Sequence, residues 1–330
     1  MSIDPQDITF VTQGSLKPPS LSVNYEDYLP ENYAAKTIAS LRKFCPQAKI
    51  ILSTWRGEDA SELNADEIIY NQDPGAFPYS CAADSALNNV NRQITATASG
   101  LKKVKTKYVF KLRTDFCLTG KNFLRYFAAY NKYEADYKIV KQRLLACAFV
   151  TRNPEGLYPY PFHLSDFAFF GLTADLRDLF DIPLMSKAEQ VWFRKHPVAS
   201  NRQQFLCRYV PEQYLMLNFL RKHKRPAHCR HIFDATPQSI AETRHYLANN
   251  FVLLSFEQFS LRPQKPKLQP ETVPNFSSCY THLDWLKMYK EFCDYSLKLP
   301  RQDKYTLHVR KMRRLDNFLE FLLNGLLFLT

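Results

Sequence analysis

Between residues 7 and 115, short apolar runs alternate with stretches of helical period, and each apolar run closes on polar residues. "DITFVTQGSL" alternates and ends in a Gln-Gly turn, which predicts a strand over 7–12. In "NYAAKTIASLRKFCP", Ala35, Ile38, Leu41 and Phe44 recur at helical spacing until Pro46 stops them. "AKIILSTWRG" predicts a second strand ended by Gly57, and "ADEIIYNQDPG" a short third strand closing on Asp-Pro-Gly. "NVNRQITATASGLKKV" predicts a helix, and residues 107–114 a fourth strand. Strand, helix, strand, strand, helix, strand implies βαβ units, hence an α/β fold with a mainly parallel sheet flanked by helices.

Open sheets of this kind bind ligands at the carboxyl ends of their strands. Those ends carry Thr12-Gln13-Gly14, Arg56 with Gly57, Asp73 in "NQDPG", and Arg113-Thr114-Asp115. The fourth strand is the telling one. Tyr108, Val109, Phe110 and Leu112 suit a sheet interior, yet the run delivers an Arg and an Asp to its end. Taken alone, the pair reads first as a salt bridge closing the strand. As a site, the carboxylate suits Mg²⁺ or Mn²⁺ and the guanidinium fork suits a phosphate.

In the second half, "HLSDFAFFGLTADLRDLF" predicts a loop, a short aromatic strand and a helix. "PEQYLMLNFLRKH" predicts a helix with Pro211 and Glu212 in its first turn. Residues 259–276 are proline-rich and read as a surface excursion, giving three parts: 1–258, 259–300 and 301–330. Eight glycines disfavour a many-turned all-β fold, and no internal repeat is present. "MSIDPQDITF" lacks a basic n-region and an apolar h-region, so no secretory leader is expected. The eight cysteines form no CxxC pair and are expected to be reduced thiols.

The formal charge of +12 is unevenly spread: residues 1–100 hold 7 Lys/Arg against 12 Asp/Glu, so the excess lies downstream. An anionic partner is expected. Absence of GxGxxG, GxxxxGK[ST], GxSxG and HExxH argues against dinucleotide, P-loop, serine-hydrolase and zinc-protease chemistry. "HKRPAHCRH" gathers His223, His228, Cys229 and His231 in a spacing that fits no standard zinc site.

The ordered series "DITFVTQG", "SLRKFCPQAKIILSTWRGED", "NQDPG", "NNVNRQITATASGL" and "YVFKLRTD" resembles the WavE-type lipopolysaccharide-synthesis proteins of Gram-negative bacteria. It covers residues 7–120 closely and extends more loosely through "SDFAFFG" and "PEQYL". The resemblance implies a glycosyltransferase with a GT-A-like fold, using a nucleotide-sugar donor, a UDP-sugar foremost. Such folds carry Asp-x-Asp after the fourth strand; here Arg113 replaces the first Asp. Asp115 is then the remaining candidate ligand for Mg²⁺ or Mn²⁺, while Arg113 takes over part of the charge neutralisation.

Carried over residue by residue, Thr12, Gln13 and Gly14 would approach the nucleotide. Arg56 and Asp73 would frame base and ribose. Asn91 and Arg92 would face the cleft, with Arg92 on the diphosphate. Glu212 is the expected catalytic base and Asp166 the second carboxylate, holding a substrate. Inversion follows if Glu212 is the base.

In the tail "HVRKMRRLDNFLEFLLNGLLFLT", Arg310, Lys311, Arg313 and Arg314 form a basic collar before Leu315, Phe318 and Leu322 on one helical face. The run is shorter than the ~20 apolar residues a bilayer needs. It is expected to lie on an anionic membrane surface, placing the protein peripherally at the cytoplasmic face of the inner membrane beside a lipid-linked glycan acceptor. The rival expectation is a non-catalytic nucleic-acid binder, prompted by charge and by 19 Tyr and 25 Phe, but no RNA- or DNA-binding motif accompanies them.

Overall fold

The computed structural model describes residues 3–16, 32–82, 85–156, 159–198, 204–265, 276–301 and 306–315. Its centre is a seven-stranded sheet. In chain order the strands are β1 (Ile8–Gln13), β2 (Lys49–Trp55), β3 (Glu67–Asn71), β4 (Tyr108–Arg113), β5 (Leu144–Cys147), β6 (Ala168–Leu172) and β7 (Phe251–Leu254). Their spatial order is β7-β5-β6-β4-β1-β2-β3. All neighbours are parallel except β6, which runs against both β4 and β5.

The main helices are α1 (Tyr33–Phe44), α2 (Val90–Lys103), α3 (Thr173–Phe180), α4 (Pro211–Lys222), α5 (Pro237–Asn250) and α6 (His282–Phe292). The expected apolar stripe of α1 is rotated by one position at its start: Ala34, Ile38 and Leu41 are buried, while Ala35 and Phe44 are only half-buried. Tyr33 and Thr37 complete the buried face. Helix α2 lies close on β1 because Gly100 has no side chain to strike Val11. On the other side of β4, Phe110 meets Phe123, Phe170 and Phe259 with ring centroids 4.9–5.9 Å apart. Phe123 meets Phe110 edge to face and the other two rings are tilted against it, which fixes the strands' relative position.

Two strands were not legible as such. "LLAC" and "FVLL" are four-residue apolar runs without alternation, and they pair with each other as β5 and β7. Beside them Arg143, fully buried, donates to the carbonyls of Ala248 at 2.7 Å, Tyr130 at 2.8 Å and Lys132 at 2.6 Å. A buried guanidinium is tolerable when its donors are taken in this way.

After β7 the chain returns. Leu261–Pro263 pairs antiparallel with Phe116–Leu118, just beyond β4. Residues 306–315 form a helix whose Thr306 and Val309 are buried. Arg313 of this helix donates to the Ser277 carbonyl at 2.6 Å and pairs with Asp284 at 2.9 Å, so this member of the expected basic collar is engaged with the protein's own body. Arg310 is half-buried, and Lys311, Arg314 and Leu315 are exposed. Phe318 and Leu322 lie outside the described residues. Among the described residues no helix is long and apolar enough to cross a membrane.

Candidate active site

Strand order reverses between β1 and β4, since β1 continues to β2 on one side while β4 lies on the other. The crevice beyond such a switch point is where open α/β sheets bind ligands. Gln13 and Arg113 are register partners at its base. Gly14 then turns with φ +130°, and a Cβ there would come within 2.8 Å of Thr114 Oγ1, so glycine suits both the backbone and the space. Thr114 Oγ1 donates to the Ser15 carbonyl at 2.9 Å. Glu58 ties the loops together: it accepts from Ser15 Oγ, from Thr54 Oγ1 and from the Leu16 amide at 2.9 Å.

The resulting cleft, about 250 Å³, is lined by charged and polar groups. Arg113 grips Asp115 with two bonds, Nε to Oδ1 at 2.9 Å and Nη2 to Oδ2 at 2.6 Å. Lys265 adds its ammonium to the same carboxylate at 3.2 Å. Both cations hold the Asp115 carboxyl well below the usual carboxylate range despite its burial. On the other flank Arg113 Nη1 lies 3.9 Å from Asp166, whose Oδ2 also accepts from Gln93.

Beneath Asp166 lies a less comfortable region. Lys111 shares a strand face with Arg113 and is fully buried; its ammonium donates to the Asp166 carbonyl, with the rings of Phe169 and Phe180 close by. Burial pushes its pKa down to about 8. Glu212 sits in the first turn of α4, following Pro211, which lines the cleft. Burial, and next the charge of Asp166, push the Glu212 carboxyl up to about 8. His163, 3.8 Å from Glu212, is held neutral by burial, and among the described residues its Nδ1 has no hydrogen-bond partner. Two carboxylates, one protonated near neutrality, thus stand beside a cation-lined cleft. That is the equipment for moving a proton next to a bound anion.

A divalent metal does not fit these groups. Both Asp115 oxygens are taken by cations, and Arg113 occupies the place of the first Asp. Among the described residues no three His, Cys, Asp or Glu side chains stand together in a way that would hold a metal. The histidine-rich segment is no exception: His223 pairs with Asp178 and His228 with Glu242, while Cys229 donates to the His231 carbonyl.

The family described as WavE lipopolysaccharide synthesis matches residues 8–318. The chain belongs to the WavE family. No curated protein matches it. Among solved structures, a cytidylyltransferase from Leptospira borgpetersenii serovar Hardjo-bovis is 12% identical with a TM-score of 0.30, covering 60% of this chain and 71% of that one. HddC from Yersinia pseudotuberculosis is 11% identical at 0.29, covering 52% and 79%. Likeness at that level does not define the chemistry of this WavE protein.

Of the residues anticipated for the WavE site, Gln13, Gly14, Arg92, Arg113, Asp115 and Asp166 line the cleft. Glu212 is not part of the lining but follows Pro211, which is. Others are placed elsewhere. Thr12 is sealed on the opposite face of β1. Arg56 is exposed outside the cleft lining, and its neighbour Trp55 takes that place. Asn91 is buried, clamped to the Met185 backbone at 2.7 and 3.2 Å. Asp73 orients Arg92 through a bidentate pair at 2.8 and 2.6 Å. Sequence reasoning missed Glu58, Gln93, Lys111 and Lys265. Asn89, Arg92 and Gln93 share one helical face at i, i+3, i+4, so the period itself would have selected Gln93 over Asn91.

Proposed function

We propose that this protein is a glycosyltransferase of GT-A-like architecture that moves a sugar from a nucleotide-sugar donor to a lipid-linked glycan acceptor in lipopolysaccharide synthesis. The observation carrying this reading is the pairing at the switch point: cations Arg92, Arg113 and Lys265 around one cleft with Asp166 in its wall, and a protonatable Glu212 directly after the lining residue Pro211.

A donor diphosphate would settle against these cations, which neutralise the charge that develops as its bond to the sugar breaks. Glu212, once ionised, takes the proton from the acceptor hydroxyl as the new glycosidic bond forms, and the nucleoside diphosphate leaves. Asp166, fixed by Gln93 and Arg113, orients the sugar. Attack from the side opposite the leaving group gives inversion. Arg113 and Lys265 take the place of a divalent ion. A uridine diphosphate-sugar is the first donor to try.

The exposed Lys311 and Arg314 remain available to an anionic membrane surface at the cytoplasmic face, with the helix that carries them anchored through Arg313. Removing residues after Tyr305 would strip buried Thr306 and Val309 from the core, so the informative truncation ends at Leu315.

The deciding experiment incubates the protein with a panel of nucleotide sugars and truncated lipopolysaccharide acceptor, with and without EDTA. Release of nucleoside diphosphate with a glycosylated product, unaffected by EDTA, is expected. Absence of transfer across the panel overturns the enzyme reading, and loss of transfer in EDTA overturns the metal-free one. The chain ending at Leu315 should keep transfer but sediment less with anionic vesicles; unchanged sedimentation removes the tail from the membrane account.

A further inference from the structure

A second depression, about 600 Å³, lies next to the cleft, between α1 and the ribbon formed by Phe116–Leu118 and Leu261–Pro263. Cys117 and Leu118 form a buried floor, and Phe44 and Pro263 add apolar surface. Three exposed cations stand on its rim: Lys36 and Lys43 from α1, and Arg262 from the ribbon. Among the described residues none of the three has a carboxylate partner, whereas Arg92, Arg113 and Lys265 in the cleft are each paired. Lys36 and Arg262 converge closely enough for both to favour the charged form of the Cys117 thiol, although burial outweighs them. The walls are fixed, because Gln264 Nε2 donates to the Tyr33 carbonyl and to Thr37 Oγ1, each at 2.8 Å.

The depression continues from the cleft along the same two strands. Asp115 lines the cleft and Cys117, two residues on, lines the depression; Lys265 and Pro263 repeat this on the partner strand. Two residues of strand span about 7 Å, so one saccharide chain can reach from the cleft into the depression. An apolar floor accepts the C–H face of a pyranose ring, and unpaired cations on the rim accept its acidic substituents.

We propose that this groove binds an acidic saccharide segment, bearing carboxylate or phosphate groups. As the seat of the acceptor's distal part it rests on the sugar-transfer reading of the cleft; the binding itself does not. The three cations lie outside the cleft lining, so their removal should leave donor binding alone.

The test compares wild type with K36Q/K43Q/R262Q, surface changes that leave the core untouched. Calorimetric titration with trigalacturonate, its methyl ester, inorganic tripolyphosphate and phosphatidylglycerol vesicles separates the sources of negative charge. Trigalacturonate should bind better than its ester and than tripolyphosphate, weaken with salt, and bind the triple variant about tenfold less tightly. UDP affinity should be unchanged in the variant. Equal binding of acid and ester, equal binding by variant and wild type, or preference for tripolyphosphate overturns the proposal. So does a variant that loses only vesicle binding, which would make the groove a membrane contact. If UDP fails to bind wild type while trigalacturonate behaves as expected, the cleft reading falls and the groove stands.

Discussion

The two walls of the cleft are built on opposite principles. On the β1–β2 side the polar groups at the cleft have their partners, and only Thr12 Oγ1, on the far face of β1, lacks one among the described residues of β1 and β2: Glu58 is saturated by two hydroxyls and two amides, Thr54 also lies 2.9 Å from the Gly14 carbonyl, and Asn71 donates to Ser53 Oγ and the Thr54 carbonyl at 2.9 Å each. On the β4–β6–α4 side Lys111 rests on one carbonyl, Glu212 is held protonated, and among the described residues His163 Nδ1, Ser165 Oγ and Gln213 Oε1 have no hydrogen-bond partner. Satisfied networks add rigidity; buried polar groups left short of partners are destabilising by about 1–3 kcal/mol each. The difference teaches where stability and where chemistry reside. Proteins tolerate such a deficit where it serves a reaction.

The largest effect should come from removing the proton-carrying carboxylate. Glu212→Gln should lower kcat by about 10²–10⁴-fold while donor affinity is kept, and should abolish the rise in rate as pH passes about 8. The same change should stabilise the fold at high pH. The folded protein holds the Glu212 proton up to about pH 8, whereas an unfolded Glu releases it near ~4.3. Stability is therefore lost progressively as pH climbs through that window, and Gln does not titrate. Melting curves should show the variant gaining over wild type between pH 5 and pH 8.5. A variant that melts lower at every pH would make Glu212 a structural residue and erase the contrast between the walls.

Asp115 joins the two walls. An alanine there would leave Arg113 and Lys265 without their shared counter-charge. Asp115→Ala should lose about 3–5 kcal/mol of stability, the range for breaking a buried pair. Asp115→Asn keeps the shape and should lose less. Denaturant titration of both decides; two variants as stable as wild type would mean that the pairing contributes nothing and that Asp115 is free for other ligands.

Much of the first wall, together with the β4 end that faces it, was readable because its signals are local. Strand period and turn residues placed Gln13, Gly14, Arg113 and Asp115 at one edge without any long-range information. The second wall depends on folding distant segments together. The reversal of β6 carries no local mark in "AFFGL", and Lys265 reaches Asp115 from 150 residues downstream, out of a proline-rich stretch with no pattern of its own. Helix rotation explains the remaining displacement. At 100° per residue, Asn91 turns toward Met185 while Arg92 and Gln93 face the cleft. Asp166 and Glu212 were selected by position along the chain, but the influence of Asp166 on Glu212 depends on burial, which neither segment shows by itself.

The smallest effect tests the quiet wall. Glu58→Gln preserves the side chain's length but exchanges one acceptor oxygen for a donor amide. Glu58 Oε1 accepts from Ser15 and Leu16, and Oε2 from Thr54 and, at 3.4 Å, from the Trp55 amide, so whichever end becomes the amide meets donors only. The Ser15 and Thr54 hydroxyls can rotate and the two backbone amides cannot, but the Trp55 contact at 3.4 Å is longer than that of Leu16 at 2.9 Å, so the amide should settle at the Thr54 end. One hydrogen bond is then lost and one hydroxyl must find another acceptor, a change of about 1 kcal/mol. Thr54 already has one within reach in the Gly14 carbonyl, which keeps the loss at the low end. The pH–rate profile should be that of wild type, because Glu58 has no part in the titration of Glu212. A shift of the rising limb in this variant would show that the two walls are electrostatically one site.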